Sequence, residues 1–208
     1  MKISYAITVC NEFEEIQKLI PFLLENKREE DEIVIQQDSR GSVKGLPDVK
    51  VKEYCEGLSN VKYITFDLNN HFANFKNNLT DNCTGDYIFQ IDADEIPTTY
   101  MLDMIPEVLK YNDVDVLKVP RINTVEGLTQ EHVDNWNWNV NNRGWVNFPD
   151  YQWRVYKNDN KIKWKNPVHE VLDGYQTISY LPTNEEWCLR HDKVIEKQEQ
   201  QNKLYEGL

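Results

Sequence analysis

The residues of this chain best placed to do chemistry are two carboxylates, Asp92 and Asp94, at the end of the run Tyr87-Ile-Phe-Gln-Ile-Asp92-Ala-Asp94-Glu95. A stretch of strand-forming residues leads directly into acids spaced i, i+2. Alternate side chains of a strand point to the same side, so a strand that keeps its geometry to the end aims Asp92 and Asp94 together. Open α/β sheets bind ligands beyond the carboxyl ends of their strands. Two anionic oxygens converging there suit a hard divalent cation, Mg2+ or Mn2+. Taken alone, the motif is equally an acidic strand-to-loop exit.

The elements that must position these acids can be read from periodicity. Ile3 to Val9 is expected to be a buried strand. An amphipathic helix then opens at Asn11-Glu12, with Ile16, Leu19, Ile20, Leu23 and Leu24 on one face and Pro21 as a possible kink. Further strands are expected at Glu32–Gln36, Val61–Phe66, Asp86–Ile91 and Val114–Val119. Helices are expected at Asp48–Leu58, Asn74–Cys83 and Met101–Lys110. Gln37 to Ser42 is a loop by composition. This alternation predicts an α/β fold with a doubly wound, mostly parallel central sheet and helices on both faces. After Pro120 the texture changes. Residues 121–150 are polar and aromatic, short strands are expected at Tyr151–Lys157, Ile162–Trp164 and Tyr175–Tyr180, and Asp192–Tyr205 reads as a charged helix. With no repeat and no low-complexity linker, one domain is expected, split into a nucleotide half (1–120) and an acceptor half (121–208).

Composition narrows the function classes. A chain of 208 residues with 40% hydrophobic and 12% aromatic content supports one well-buried globular domain. A net charge of -12 argues against a protein that tracks nucleic-acid phosphates, although it leaves a modified base open as an acceptor. No stretch approaches the ~20 apolar residues of a membrane span, and the short apolar N-terminus has no signal-peptide cleavage site. Cys10, Cys55, Cys83 and Cys188 show no zinc-like spacing and are expected to be reduced thiols in a cytoplasmic protein.

The motifs occur in a familiar order. Thr8-Val-Cys10-Asn11-Glu12 follows the first strand, and Ile35-Gln-Gln-Asp38-Ser-Arg-Gly-Ser42 the second. His71-Phe-Ala-Asn-Phe-Lys76-Asn77 precedes Gly85-Asp86 and the acidic run. Tyr151-Gln-Trp-Arg154, Val168-His169-Glu170 and a late His191 complete the set. This ordered set resembles family 2 glycosyltransferases of the GT-A fold. The resemblance spans nearly the whole chain. It implies a metal-dependent, inverting transfer of a sugar from a nucleoside-diphosphate donor, a UDP-sugar by Asp38 and by the family, to a glycan or other hydroxyl-bearing acceptor.

The resemblance implies these roles. Backbone groups from Thr8 through Cys10 to Asn11 line the base pocket, and Asp38 accepts the imide N–H of uracil. Glu12 takes a ribose hydroxyl or, alternatively, favours the first helical turn. Lys76 stands where the family usually has arginine, which keeps a charge for phosphate but loses the bidentate fork. Asn77 and Ala93 belong to the same donor pocket. Asp92 and Asp94 hold the metal with His191 as third ligand. Asp94 is the direct ligand, Asp92 acts through water or the ribose, and Glu95 supports the loop. The metal stabilises the departing nucleoside diphosphate. Direct displacement needs one general base: Glu170 or Asp150, with Glu170 preferred by a small margin for its family-like His-Glu pair.

The segment Trp136-Asn-Trp138 to Trp145-Val-Asn-Phe148 is expected to bind the acceptor, since Trp faces stack on sugar rings and Asn pairs with hydroxyls. An aromatic mini-core is the competing account. Arg154 and His169 are assigned to the same acceptor side, with a structural ion pair as the alternative for Arg154. Two other functions remain open: a non-catalytic sugar-nucleotide or glycan binder on the same fold, and a haloacid-dehalogenase-type phosphatase. The phosphatase is disfavoured because the acidic pair lies on a fourth strand and Ile96 stands where that motif places Thr or Val.

Overall fold

The computed structural model describes residues 1–39 and 48–205. Arg40, Gly41 and Ser42 of the expected second-strand loop lie outside the described residues. The chain runs β1 (Ile3–Val9), α1 (Phe13–Asn26), β2 (Glu32–Asp38), α2 (Val49–Glu56), β3 (Lys62–Phe66), α3 (Phe72–Asp81), β4 (Tyr87–Asp92) and α4 (Thr99–Asn112). It continues through β5 (Val116–Glu126), α5 (Gln130–Asn135), β6 (Val146–Lys157), β7 (Lys163–Lys165), β8 (Val171–Asp173), β9 (Ile178–Tyr180), β10 (Leu189–Val194) and α6 (Ile195–Tyr205).

One sheet in the order β10-β5-β6-β4-β1-β2-β3 crosses both halves of the chain, with β9 added beside β5. β1 pairs in parallel with β2 and β4, and β2 with β3. β6 is antiparallel to both neighbours, β4 and β5, while β9 and β10 run parallel to β5. This is the expected mostly parallel α/β sheet. The register Thr8↔Asp92 and Thr8↔Gln36 sets the tips of β1, β2 and β4 side by side.

The core explains the order. β1 is buried through Ile3, Tyr5, Ala6 and Ile7, so it reads as a continuous apolar run, as a strand covered on both faces must. Ile16, Leu19, Ile20 and Leu23 of α1 seal one face. Pro21 is exposed, and α1 continues past it to Asn26. On the other face, Ala73 and Leu79 of α3 pack with Ala6, Val34, Ile88, Tyr156 and Trp164. Gly85 opens β4 because a Cβ there would stand 2.7 Å from the Ser4 backbone nitrogen.

Two expectations are corrected. β5 does not stop at Val119 but continues through Pro120 to Glu126, as one side of a long antiparallel pair with β6. Its last residues carry polar side chains on the site face, which hides the strand from a hydrophobic reading. The C-terminal helix begins at Ile195, not Asp192, because Leu189–Val194 forms β10 against β5. Only Leu189 and His191 of that strand are buried, too few for alternation to show through the surrounding charges. Among the described residues no helix is long and apolar enough to cross a membrane. All four cysteines are free thiols.

Candidate functional site

At the tip of β4 the two acids diverge, because the strand ends at Asp92 and Asp94 sits in the following turn. Asp92 Oδ1 accepts from Thr8 Oγ1 at 3.0 Å, and its Oδ2 accepts from Arg154 Nη2 at 2.5 Å. The same guanidinium donates to Glu95 Oε1 at 2.6 Å, an oxygen that also receives Arg121 Nη1 at 2.8 Å. Glu95 Oε2 accepts the Asp92 N–H at 3.2 Å and so ties the turn back on itself. Glu95 is 0% and Arg154 2% exposed. Burial opposes ionisation of Asp92, but the charges of Arg154, Lys76 and Arg121 outweigh it and hold the carboxyl far below its ordinary range.

Asp94 faces a different set. Its Oδ2 lies 3.1 Å from His191 Nε2 and 3.8 Å from Lys193 Nζ, both delivered by β10. His191 Nδ1 is 2.6 Å from Asn123 Oδ1, and Asn123 Nδ2 donates to Asp150 Oδ2 at 2.9 Å. Because that amide nitrogen is committed to a carboxylate, the amide oxygen faces His191, and Nδ1 must carry the proton. The imidazole therefore turns Nε2 toward Asp94. Burial of Asp94 is again outweighed, here by the His191 hydrogen bond and the charges of His191 and Lys193, so its carboxyl is also held low. Burial pushes the Lys193 ammonium below the ordinary lysine value, with Asp94 opposing.

Asp150, opposite Arg121 in the β5–β6 pair, accepts two bonds from Arg121 (2.9 and 2.7 Å) on Oδ2 and one from Gln152 (2.5 Å) on Oδ1. Burial raises its carboxyl, but Arg121, Asn123 and Gln152 hold it below the usual value. Glu170 has a different partner. Its Oε1 pairs with Lys76 Nζ at 2.5 Å, and that ammonium sits 4.5 Å from the centre of the Trp164 ring. Lys76 thus touches Glu170 directly and Asp92 only through its field.

The other expected donor residues gather at the tips of β1 and β2. Asp38 is 5% exposed and accepts the Leu68 N–H at 3.1 Å. Glu12 turns its carboxylate onto the N–H groups of Cys10 (2.7 Å) and Asn11 (3.0 Å), closing the β1–α1 loop. Burial pushes the Cys10 thiol up to about 12, helped by Glu12, Asp38 and Asp48. Ala93 is buried and donates its N–H to the Thr8 carbonyl at 3.2 Å. Asn77 is not brought to this edge. Both ends of its amide bond the Trp164 backbone, at 3.0 and 2.9 Å, and fasten β7 to α3.

The aromatic segment divides. Trp136 stacks on His132, with centroids 5.0 Å apart, and meets Trp138 at 4.7 Å; both indoles are half-buried. Trp145, 7% exposed, packs with Ile122, Cys188 and Phe148 and lies under Arg143. It is a mini-core residue. Arg154 is an internal ion-pair residue, whereas His169 is exposed with a left-handed backbone (φ 53).

Three participants escaped the sequence reading: Arg121, Asn123 and Lys193. The signal for the first two was their i, i+2 spacing, which a strand continuing past Pro120 would have placed on one side. For Lys193 it was the same spacing from His191.

A divalent ion fits part of the expected set. Asp94 and His191 already face each other, and the Asn123–Asp150 link orients the imidazole as second-sphere partners of metal-bound histidines do. Asp92 does not join them, being engaged by Thr8 and Arg154. Among the described residues no three His, Cys, Asp or Glu side chains gather around one ion position. Of the three expected ligands the structure brings Asp94 and His191 face to face.

Known proteins supply the remaining context. No curated protein sequence matches the chain. Among solved structures it is similar to S. aureus TarS residues 1–349, with 15% identity and a TM-score of 0.60 over 92% of this chain and 60% of that one. It is also similar to the same protein in complex with UDP-GlcNAc (15%, 0.61, 93% and 59%) and with UDP (14%, 0.62, 92% and 60%). The chain thus spans about 60% of the length of these structures, and the likeness establishes the GT-A fold. Residues 4–179, most of the chain, match the family model described as Glycosyl transferase family 2, and the chain belongs to that family.

Proposed function

We propose that the chain transfers a sugar from a nucleoside-diphosphate donor, a uridine diphosphate sugar, to a hydroxyl acceptor with inversion. The observation that carries this reading is the Asp94–His191–Asn123–Asp150 chain, which links the facing Asp94–His191 pair to a half-buried carboxylate at one sheet edge. Family membership and the UDP-GlcNAc held by the solved relative support the donor class. The base and ribose lie over the tips of β1 and β2, with Asp38 and the backbone of Thr8 to Asn11 around them. Asp94 and His191 would hold a divalent ion, which would supply charge neutralisation to the departing diphosphate.

Asp150 is preferred over Glu170 as base, a reversal of the preference from sequence. Geometry precedes basicity in such an assignment, and Asp150 is joined to Asp94 through Asn123 and His191, whereas Glu170 pairs with Lys76. The acceptor oxygen attacks the anomeric carbon as its proton passes to Asp150. The bond from that carbon to the diphosphate breaks, and its electron pair leaves on the phosphate oxygen. Arg121 fixes the carboxylate during the transfer and costs it basicity. The half-buried Trp136 and Trp138 are assigned to the acceptor.

Thermal stabilisation by UDP with and without Mn2+, followed by a screen of UDP-sugars for UDP release, tests this. Stabilisation with turnover is expected. Binding without turnover on any acceptor leaves the non-catalytic binder, and no binding of any nucleotide sinks the reading.

A further inference from the structure

β10 brings two side chains to Asp94 from the same side of the strand, as their i, i+2 spacing requires. His191 Nε2 stands 3.1 Å and Lys193 Nζ 3.8 Å from the same oxygen, Asp94 Oδ2. The Lys193 side chain is only 11% exposed, so the ammonium is held at this oxygen and is not free to sweep through solvent. Around the turn, the carboxylates of Asp92, Asp94, Glu95 and Asp150 meet the fixed cations Arg121, Arg154 and Lys193. Leaving His191 out of the sum, four negative charges against three positive leave one net negative charge, where removal of Lys193 would leave two. A site built only to capture a divalent ion gains from the larger negative charge. A cation on the ligand oxygen itself works against that capture.

The chemistry of an ammonium at this point suits a different task. It carries a full charge and three donors, which a diphosphate oxygen accepts without a matching planar geometry. We propose that Lys193 is a resident counter-ion for the donor diphosphate, one that competes with the divalent ion for Asp94 and retains part of the donor affinity when no divalent ion is present. This rests on the donor reading above. It has two consequences of opposite sign. Loss of the charge strengthens binding of the bare metal ion, and it weakens binding of the nucleotide in the absence of metal.

Calorimetric titration of the full chain with UDP in EDTA and in Mn2+, with Mn2+ binding alone followed by electron paramagnetic resonance, separates these consequences. Wild type is expected to bind UDP in EDTA. Lys193→Met is expected to lose about tenfold or more of that affinity, the size of one charge-assisted hydrogen bond, while binding Mn2+ alone several-fold more tightly. Lys193→Gln, which keeps a polar tip without the charge, takes its place if Lys193→Met does not fold. Wild type that binds UDP only with Mn2+ overturns the inference and leaves the donor reading standing. Unchanged UDP affinity in EDTA, or unchanged or weaker Mn2+ binding, in the uncharged variant also overturns it. Absence of UDP binding under both conditions overturns the donor reading with it.

Discussion

Arg154 spans Asp92 and Glu95, with one guanidinium nitrogen 2.5 Å from Asp92 Oδ2 and 2.6 Å from Glu95 Oε1. The turn that carries Asp94 is therefore fixed from beneath by a buried cation, before any ligand arrives. Removing one partner of a buried ion pair leaves the other charge uncompensated, at a cost of about 3–5 kcal/mol. Arg154→Met is expected to lose stability at the lower end of that range, since the methionine refills the space. For a chain of this size about 3 kcal/mol lowers Tm by roughly 6–12 °C. Thermal unfolding followed by circular dichroism measures it. An unchanged Tm would mean that the guanidinium is dispensable to the turn.

The base assignment separates into two variants. Asp150→Asn keeps the shape of the side chain and its acceptor oxygen for Arg121 while removing the proton acceptor. Transfer is expected to fall about a thousandfold, within the usual contribution of a general base, with UDP affinity little changed. Glu170→Gln is expected to keep most of its activity. Single-turnover transfer rates with a competent acceptor check both, and the opposite ranking would return the role to Glu170.

The Asn123 amide is the joint between Asp150 and His191. Asn123→Ala frees the imidazole to rotate or change tautomer, and second-sphere partners of this kind typically contribute 10- to 100-fold to metal affinity. About a tenfold loss in Mn2+ affinity is expected, against a larger loss for His191→Ala and Asp94→Ala. Mn2+ titration by electron paramagnetic resonance gives the ranking. Full affinity in His191→Ala would remove the histidine from the ligand set.

Much of residues 1–120 was legible in the sequence because β1, β2 and β4 are buried on both faces. Val34 and Ile35 in β2 and Ile88 and Phe89 in β4 form uninterrupted apolar runs. β5 beyond Pro120 and all of β10 were not legible, for a common reason: one side of each carries site residues. Arg121, Asn123, His191 and Lys193 are polar because they bind each other and the acids across the sheet, so they erase the hydrophobic alternation by which a strand is recognised. The site hid the elements that position it. The divergence of Asp92 and Asp94 had a different origin, since i, i+2 spacing aligns side chains only while the strand lasts, and β4 ends at Asp92. Trp145 could not be told from Trp136 and Trp138 by type, because burial is decided by Ile122 and Cys188 far away in the chain.

Glu32 offers a pH test away from the site. Its Oε1 accepts from Ser4 Oγ at 2.5 Å and from the Thr84 N–H at 2.6 Å, and its Oε2 from Lys2 Nζ at 3.0 Å and Thr84 Oγ1 at 2.9 Å. The carboxylate thereby pins the start of β2 to β1 and to the turn before β4. Burial raises its pKa, but the Ser4, Thr84 and Lys2 bonds prevail and bring it from the ordinary 4.5 down to about 2. A carboxyl depressed in the folded state contributes stability that is fully present above its unfolded value and is lost as pH falls toward the folded one. Glu32→Gln should therefore unfold at lower temperature than wild type at neutral pH. The gap should narrow as pH falls below about 4.5 and keep closing as pH passes through about 2, where half of the wild-type carboxyls are protonated. Tm measured for both proteins across that range is the check. A gap that stays constant down to pH 2 would show that the glutamate's packing, not its charge, holds the strand ends together.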